Sequence, residues 1–123
     1  MNRLPQTVGP YSTHRITQGL MFASGQIPLD PATNRLVEGN IVDQTQQVFR
    51  NIEALLDTEG LNFDHIVKTT VFLDDIEDFG TVNEEYAKYF TQPFPARSAV
   101  EVASIPLGAR VEIEFIAEVD KEN

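Results

Sequence analysis

Arg97 is the residue whose setting most invites chemistry. It lies in Phe94-Pro95-Ala96-Arg97-Ser98-Ala99-Val100, and Lys88 is the only other base within twelve residues on either side. A guanidinium offers a carboxylate two parallel hydrogen bonds, so a lone arginine in an apolar strand suits the anchor of a small acid. The plainer reading is a cross-strand ion pair with Glu101, Glu112 or Glu114. Glu112 and Glu114 share one face of the last apolar-alternating run, where they could hold a water or one could act as a general base. An exposed polar strand face is the competing explanation, strongest for Glu114 and Glu118.

Other candidates are weaker. Ser24-Gly25-Gln26 ends a strand at a glycine, where main-chain groups can approach a ligand closely. Ser24 has no neighbour resembling a nucleophile elbow, so it reads as a hydrogen-bonding wall. Tyr11, after Gly9-Pro10, is kept as a pocket candidate, whereas Tyr86 and Tyr89 read as packing residues. His14 and His65 are isolated, which argues against a metal centre and for surface or loop positions. The acids Asp74, Asp75, Glu77 and Asp78 lack the ligand spacing of a calcium loop and read as a solvated turn.

These residues need elements to hold them. Tyr11 to Thr17 and Leu20 to Ser24 are β-prone runs around a Gln18-Gly19 turn. Pro28 to Asn34 reads as a loop, and an extended piece around Leu36-Val37 is expected to return to the sheet. Ile41, Thr45, Val48, Phe49, Ile52, Leu55 and Leu56 recur at helical spacing, with Asn40 as cap, Asp43 at the positive end and Gly60 as stop. Ile66 to Leu73 has the pattern of a central strand buried on both faces. A second helix would bury Phe79, Val82, Tyr86, Tyr89 and Phe90 and end at Gln92-Pro93-Phe94-Pro95. Alternating runs over 98–103 and 111–118 close the chain. The expected architecture is α+β: a mixed sheet of about six strands with two helices on one face. The second face would then be hidden by self-association with cyclic symmetry.

Composition narrows the partners. The 123 residues are the size of one domain, expected to span 1–123, and 41% of them are hydrophobic. There is no cysteine, so disulfides, thiolate metal ligands and cysteine nucleophiles are excluded. Residues 1–9 carry one arginine and no apolar run, unlike a signal peptide, and no stretch is long enough to span a membrane. A cytoplasmic protein is expected. The formal charge of −10 repels phosphate backbones and anionic lipids, so neither nucleic acid nor membrane is an expected partner. Any anionic substrate needs a local cation.

The set Gly9-Pro10-Tyr11, Ala23-Ser24-Gly25-Gln26-Ile27-Pro28, Val67-Lys68-Thr69-Thr70-Val71-Phe72-Leu73, Thr81-Val82-Asn83, Pro95-Ala96-Arg97-Ser98-Ala99-Val100-Glu101-Val102 and Val111-Glu112-Ile113-Glu114 resembles the RidA (YjgF) family of reactive-intermediate deaminases. The likeness runs in order from about residue 5 to residue 119. It implies a chorismate-mutase-like fold, assembled as a homotrimer with a cleft at each interface. It also implies hydrolysis of 2-imino acids, such as 2-iminobutanoate and 2-iminopropanoate released by pyridoxal-phosphate enzymes, to 2-oxo acids and ammonia, with no cofactor of its own. By the same resemblance Arg97 grips the substrate carboxylate and Glu112 is linked to the attacking water. Tyr11, Ser24, Gly25 and Asn83 line the pocket. Many relatives carry cysteine where this chain has Ala99, so any thiol-based activity is excluded here. Two rivals remain: a module that senses 2-oxo acids without turnover, and a ribonuclease or translation inhibitor, an activity attributed to some relatives.

Overall fold

In the computed structural model, residues 3–119 are described; residues 1–2 and 120–123, the ends of the expected domain, lie outside them. β1 (His14–Thr17) and β2 (Leu20–Gln26) form a hairpin. Its turn residues Gln18 and Gly19 both have positive φ, 57° and 74°, as a twisted two-residue hairpin turn requires. β3 (Leu29–Asp30) and β4 (Arg35–Leu36) follow, then α1 (Ile41–Asp57), β5 (Ile66–Leu73), α2 (Phe79–Tyr86), β6 (Ala96–Glu101) and β7 (Val111–Glu118). The main sheet has five strands in the order β1-β2-β7-β5-β6, antiparallel except for the β5–β6 pair. Two helices pack on one face of this mixed sheet, as expected of an α+β chain.

Four expectations change. The extended piece near Leu36 does not return to the main sheet, which has five strands rather than about six; it pairs with β3 in a separate two-stranded sheet. The first strand begins at His14 rather than Tyr11. Tyr11 N donates to Gly9 O in a tight turn, so the chain enters the ladder late. β5 is not central: β7 is, and β5 buries only Ile66, Thr69, Val71 and Leu73, leaving Lys68, Thr70 and Phe72 half-buried. The second helix stops at Tyr86, well before Pro93. Beyond it Lys88 N and Tyr89 N donate three residues back, a tighter winding that brings Tyr89 and Phe90 onto Phe49.

α1 is the scaffold. The Asn40 side chain accepts from Val42 N and Asp43 N, and Asp43 accepts from Asn40 N, closing a capping box. Its apolar stripe, Ile41 to Leu56, is buried against Met21, Val71, Ile113 and Phe115 on the sheet. Fully burying side chains such as Leu55 or Phe49 contributes about 1.5–3 kcal/mol each. Phe49 stacks on Tyr89 at 4.1 Å and tilts against Phe63, Tyr86 and Phe90, tying α1 to α2. The opposite sheet face is open, with Phe22 and Val100 more than 40% exposed, at 42% and 43%. Among the described residues, no helix is long and apolar enough to cross a membrane.

Candidate functional site

The candidate residues fall into two groups on opposite faces of the sheet. Arg97 pairs in register with Thr69, whose side chain is buried on the helix side, so its own side chain points toward α2. There the guanidinium lies 4.8 Å from the centre of the Tyr86 ring and 5.4 Å from that of Phe79. Its Nη1 donates to Asn83 Oδ1 at 2.7 Å. Phe79, Asn83 and Tyr86 sit at i, i+4 and i+7 on α2, so one helical face makes the whole cradle. Tyr86 is locked in turn by a 2.7 Å hydrogen bond between its hydroxyl and Thr69 Oγ1. Burial pushes the Tyr86 phenol up, against the opposing pulls of that bond and of Arg97, so the ring stays neutral under the cation.

The ion-pair explanation of Arg97 does not hold. Glu101 accepts instead from Ile76 N at 2.8 Å, and Glu112 and Glu114 lie on the other face. Among the described residues, no carboxylate stands within 4.0 Å of the guanidinium. Arg97 therefore presents an uncompensated charge to a recess of about 410 Å³, whose other walls are Asn83, Tyr86, Ala87, Phe90, Phe94 and Pro95. In a chain of net charge −10, that is a local well for an anion.

Glu112 stands on the open face of β7, across from Phe72 on β5. Its other neighbour is Gly25. The β2–β7 register slips between Ala23 and Gln26, placing an extra residue in β2, a bulge. The bulge turns Gly25 over the Glu112 carboxylate so closely that a Cβ there would sit 2.8 Å from Cδ and overlap it. Only glycine fits. Burial raises the Glu112 carboxyl above its ordinary value of 4.5, and the nearby Glu114 raises it further. Such a group is a better proton acceptor near neutral pH than an ordinary carboxylate.

Beside the bulge, Ser24 Oγ donates to Ser12 O at 2.7 Å and Ser24 N donates to Thr13 O. Tyr11 is exposed and lines, with Ser12, His14, Arg15, Phe22, Ala23 and Ser24, a second recess of about 460 Å³. Thus Tyr11 joins Ser24, Gly25 joins Glu112, and Asn83 joins Arg97. A single chain does not unite Arg97 with Glu112. The histidines are engaged elsewhere: His14 Nε2 meets Glu59 at 2.9 Å, and His65 closes a cap with Asn62. No group of three potential metal ligands occurs among the described residues. In the acidic turn, Asp75 caps Glu77 N and Asp78 takes two bonds from Arg110, at 3.0 and 2.9 Å.

In the sequence Phe79 and Tyr86 read as core residues only. Their spacing around Asn83 on one helical face is the signal that could have assigned them to the arginine.

Comparison with known proteins identifies the family. The family model described as endoribonuclease L-PSP matches residues 1–119. Protein DfrA of Myxococcus xanthus is 48% identical over 94% of this chain and 90% of its own length. The human 2-iminobutanoate/2-iminopropanoate deaminase is 44% identical over 94% of this chain and 84% of its own. Among solved structures, YyfA of Yersinia pestis, a protein of the conserved Rid family, is 50% identical with a TM-score of 0.90, covering 94% of this chain and 93% of that one.

Proposed function

The chain belongs to the endoribonuclease L-PSP family, the Rid proteins, and from that membership we propose that it hydrolyses small 2-imino acids to 2-oxo acids and ammonia. Close relatives bear the name of that deaminase, although members of the family vary in function. The observation that carries the proposal is Arg97: a cation with aromatic backing, fixed by Asn83, without a carboxylate partner among the described residues and facing a recess. We read the chain as one cytoplasmic domain over 1–123 whose two half-sites meet across the interface of a homotrimer. Tyr11, Ser24, Gly25 and Glu112 come from one copy, Asn83 and Arg97 from its neighbour.

In this mechanism the substrate carboxylate lies on the Arg97 fork, which fixes the imine carbon relative to Glu112 of the adjoining copy. Glu112 accepts a proton as a water oxygen attacks that carbon, and the C=N π pair moves to nitrogen. The protonated Glu112 returns the proton to the amine of the tetrahedral intermediate. The C–N bond then breaks, ammonia leaves, and loss of the hydroxyl proton gives the 2-oxo acid. An iminium is already electrophilic, so orientation and electrostatics suffice, without a covalent intermediate or cofactor.

The test couples the protein to a threonine dehydratase and follows 2-oxobutanoate. Faster release by the wild type, abolished by Arg97→Ala, is expected. No acceleration by the wild type would favour a 2-oxo-acid-sensing module that uses the same arginine. The ribonuclease alternative draws no support from a chain of net charge −10.

A further inference from the structure

α1 carries an anomaly: three amide side chains, Gln44, Gln47 and Asn51, are buried within its core-facing surface, with Asn51 at 0% exposure. Burying an amide is unfavourable unless its hydrogen bonds are made, and here they are. Asn51 Nδ2 donates to Ile27 O at 3.2 Å and to Leu29 O at 3.0 Å. Its Oδ1 accepts from Gln47 Nε2 at 2.9 Å. One turn from the start of the helix, Gln44 Oε1 accepts from Arg110 N at 2.9 Å.

What these amides hold is specific. Ile27 and Leu29 flank Pro28 at the corner where β2 leaves the sheet, two residues after Gly25. Arg110 immediately precedes β7, two residues before Glu112. Arg110 is further fixed by its paired bonds to Asp78 and by Asp74 N, which donates to its carbonyl. The same helix therefore clamps the main chain two residues from each partner of the Gly25–Glu112 contact, although those partners are 87 positions apart in sequence. An apolar stripe would pack the sheet equally well without fixing either strand end.

We propose that Gln44 and Asn51 are positioning residues of the site, setting the β2 corner and the start of β7 so that Gly25 stays closed over Glu112. The proposal rests on the deaminase reading for its catalytic consequence, but its geometric core does not. If the clamp loosens, the half-buried Glu112 becomes more exposed to water and its raised carboxyl relaxes toward the ordinary value. Among the described residues, Gly25 of β2, Phe72 of β5 and Glu114 along β7 stand next to that carboxyl. Lys68 of β5 and Arg15 of β1 share the open face, but they stand level with Ile116, beyond Glu114. Arg97, on α2's side of β6, is untouched by the clamp, so substrate anchoring is preserved.

The experiment compares the whole protein with Asn51→Leu and Gln44→Met, using Gln44→Glu as the variant that keeps an acceptor for Arg110 N. Two measurements are made: 2-oxobutanoate release with threonine dehydratase, and an NMR titration of the Glu112 carboxyl carbon, assigned against Glu112→Gln. We expect kcat to fall about tenfold or more with KM within about twofold, as for a small misplacement of a reacting group. The Glu112 midpoint should move down, and Gln44→Glu should restore both. Should Asn51→Leu not fold, Gln44→Met carries the test. Variants that melt earlier yet keep the wild-type midpoint and kcat would overturn the proposal, since the stripe would then only stabilise the fold. If the wild type shows no turnover, the deaminase reading fails on its own. In that case a displaced Glu112 titration still supports the clamp, and an unmoved one refutes it.

Discussion

The Arg97 half of the site and the Glu112 half are built in opposite ways. Arg97, Asn83, Tyr86 and Phe79 come from 19 consecutive residues, and the cradle follows from one face of α2 lying beside β6. Its chemistry is charge without compensation. Glu112 and Gly25 come from distant strands, and their contact exists only because of a register, a bulge and a missing Cβ. Its chemistry is a carboxylate made more basic by burial. One half is local and electrostatic, the other long-range and steric. Substitutions should therefore affect them differently.

The largest effect should come from Arg97→Ala, which removes the proposed anchor for the substrate carboxylate. kcat/KM for imine hydrolysis should fall by about 100-fold or more, with melting temperature nearly unchanged because the side chain is exposed. Arg97→Lys keeps the charge and loses the fork, so it should recover only part of that loss. An Arg97→Ala enzyme with full activity would remove the charge half from the account.

Glu112→Gln should lower kcat by about 100-fold with little change in KM. It also separates activity from stability. Folding raises the pKa of this carboxyl, so the folded state holds its proton more tightly than the unfolded chain does. The contribution of Glu112 to stability is therefore greatest below its unfolded value and is lost as pH rises through the folded one. Above that window an ionised, half-buried Glu112 costs stability. Thermal melts should show Glu112→Gln at least as stable as wild type at pH 7, with the advantage shrinking toward pH 4.

Gly25→Ala tests the steric half. Its Cβ must displace the Glu112 carboxylate or part β2 from β7, costing about 1–3 kcal/mol in denaturant unfolding. Activity should fall through kcat, because Glu112 is the group moved. The smallest effect is the control. Asn40→Ala removes the α1 cap and should cost about 1 kcal/mol, with KM and kcat unchanged.

The same contrast explains what the sequence made legible. The α1 boundaries, the Gln18-Gly19 turn and the last strand follow from local signals: a cap, a positive-φ pair, an alternation. Arg97 was conspicuous for the same reason, since its isolation is visible in the chain itself. The β2 bulge, the central position of β7 and the separate β3–β4 pair are products of tertiary register, which periodicity does not encode. β5 reads as buried on both faces because β-branched and apolar residues make up almost all of it; the helices cover only one of those faces. Gln44 and Asn51 carry no local signal in the sequence, because their partners are main-chain groups far along the chain. That Arg97 and Glu112 face opposite sides of the sheet could be read only from strand pairing.

That opposition makes the central claim testable: the two halves must meet between copies. Arg97→Ala and Glu112→Gln chains, each inactive alone, are mixed, unfolded and refolded together, and imine hydrolysis is measured. If Arg97 and Glu112 of one site come from different copies, equal mixing in a cyclic trimer restores both halves at roughly a quarter of the interfaces. Activity should then return to about that fraction of wild type. If both residues serve a site within one chain, every site keeps a dead half, and the mixture stays as inactive as its parts.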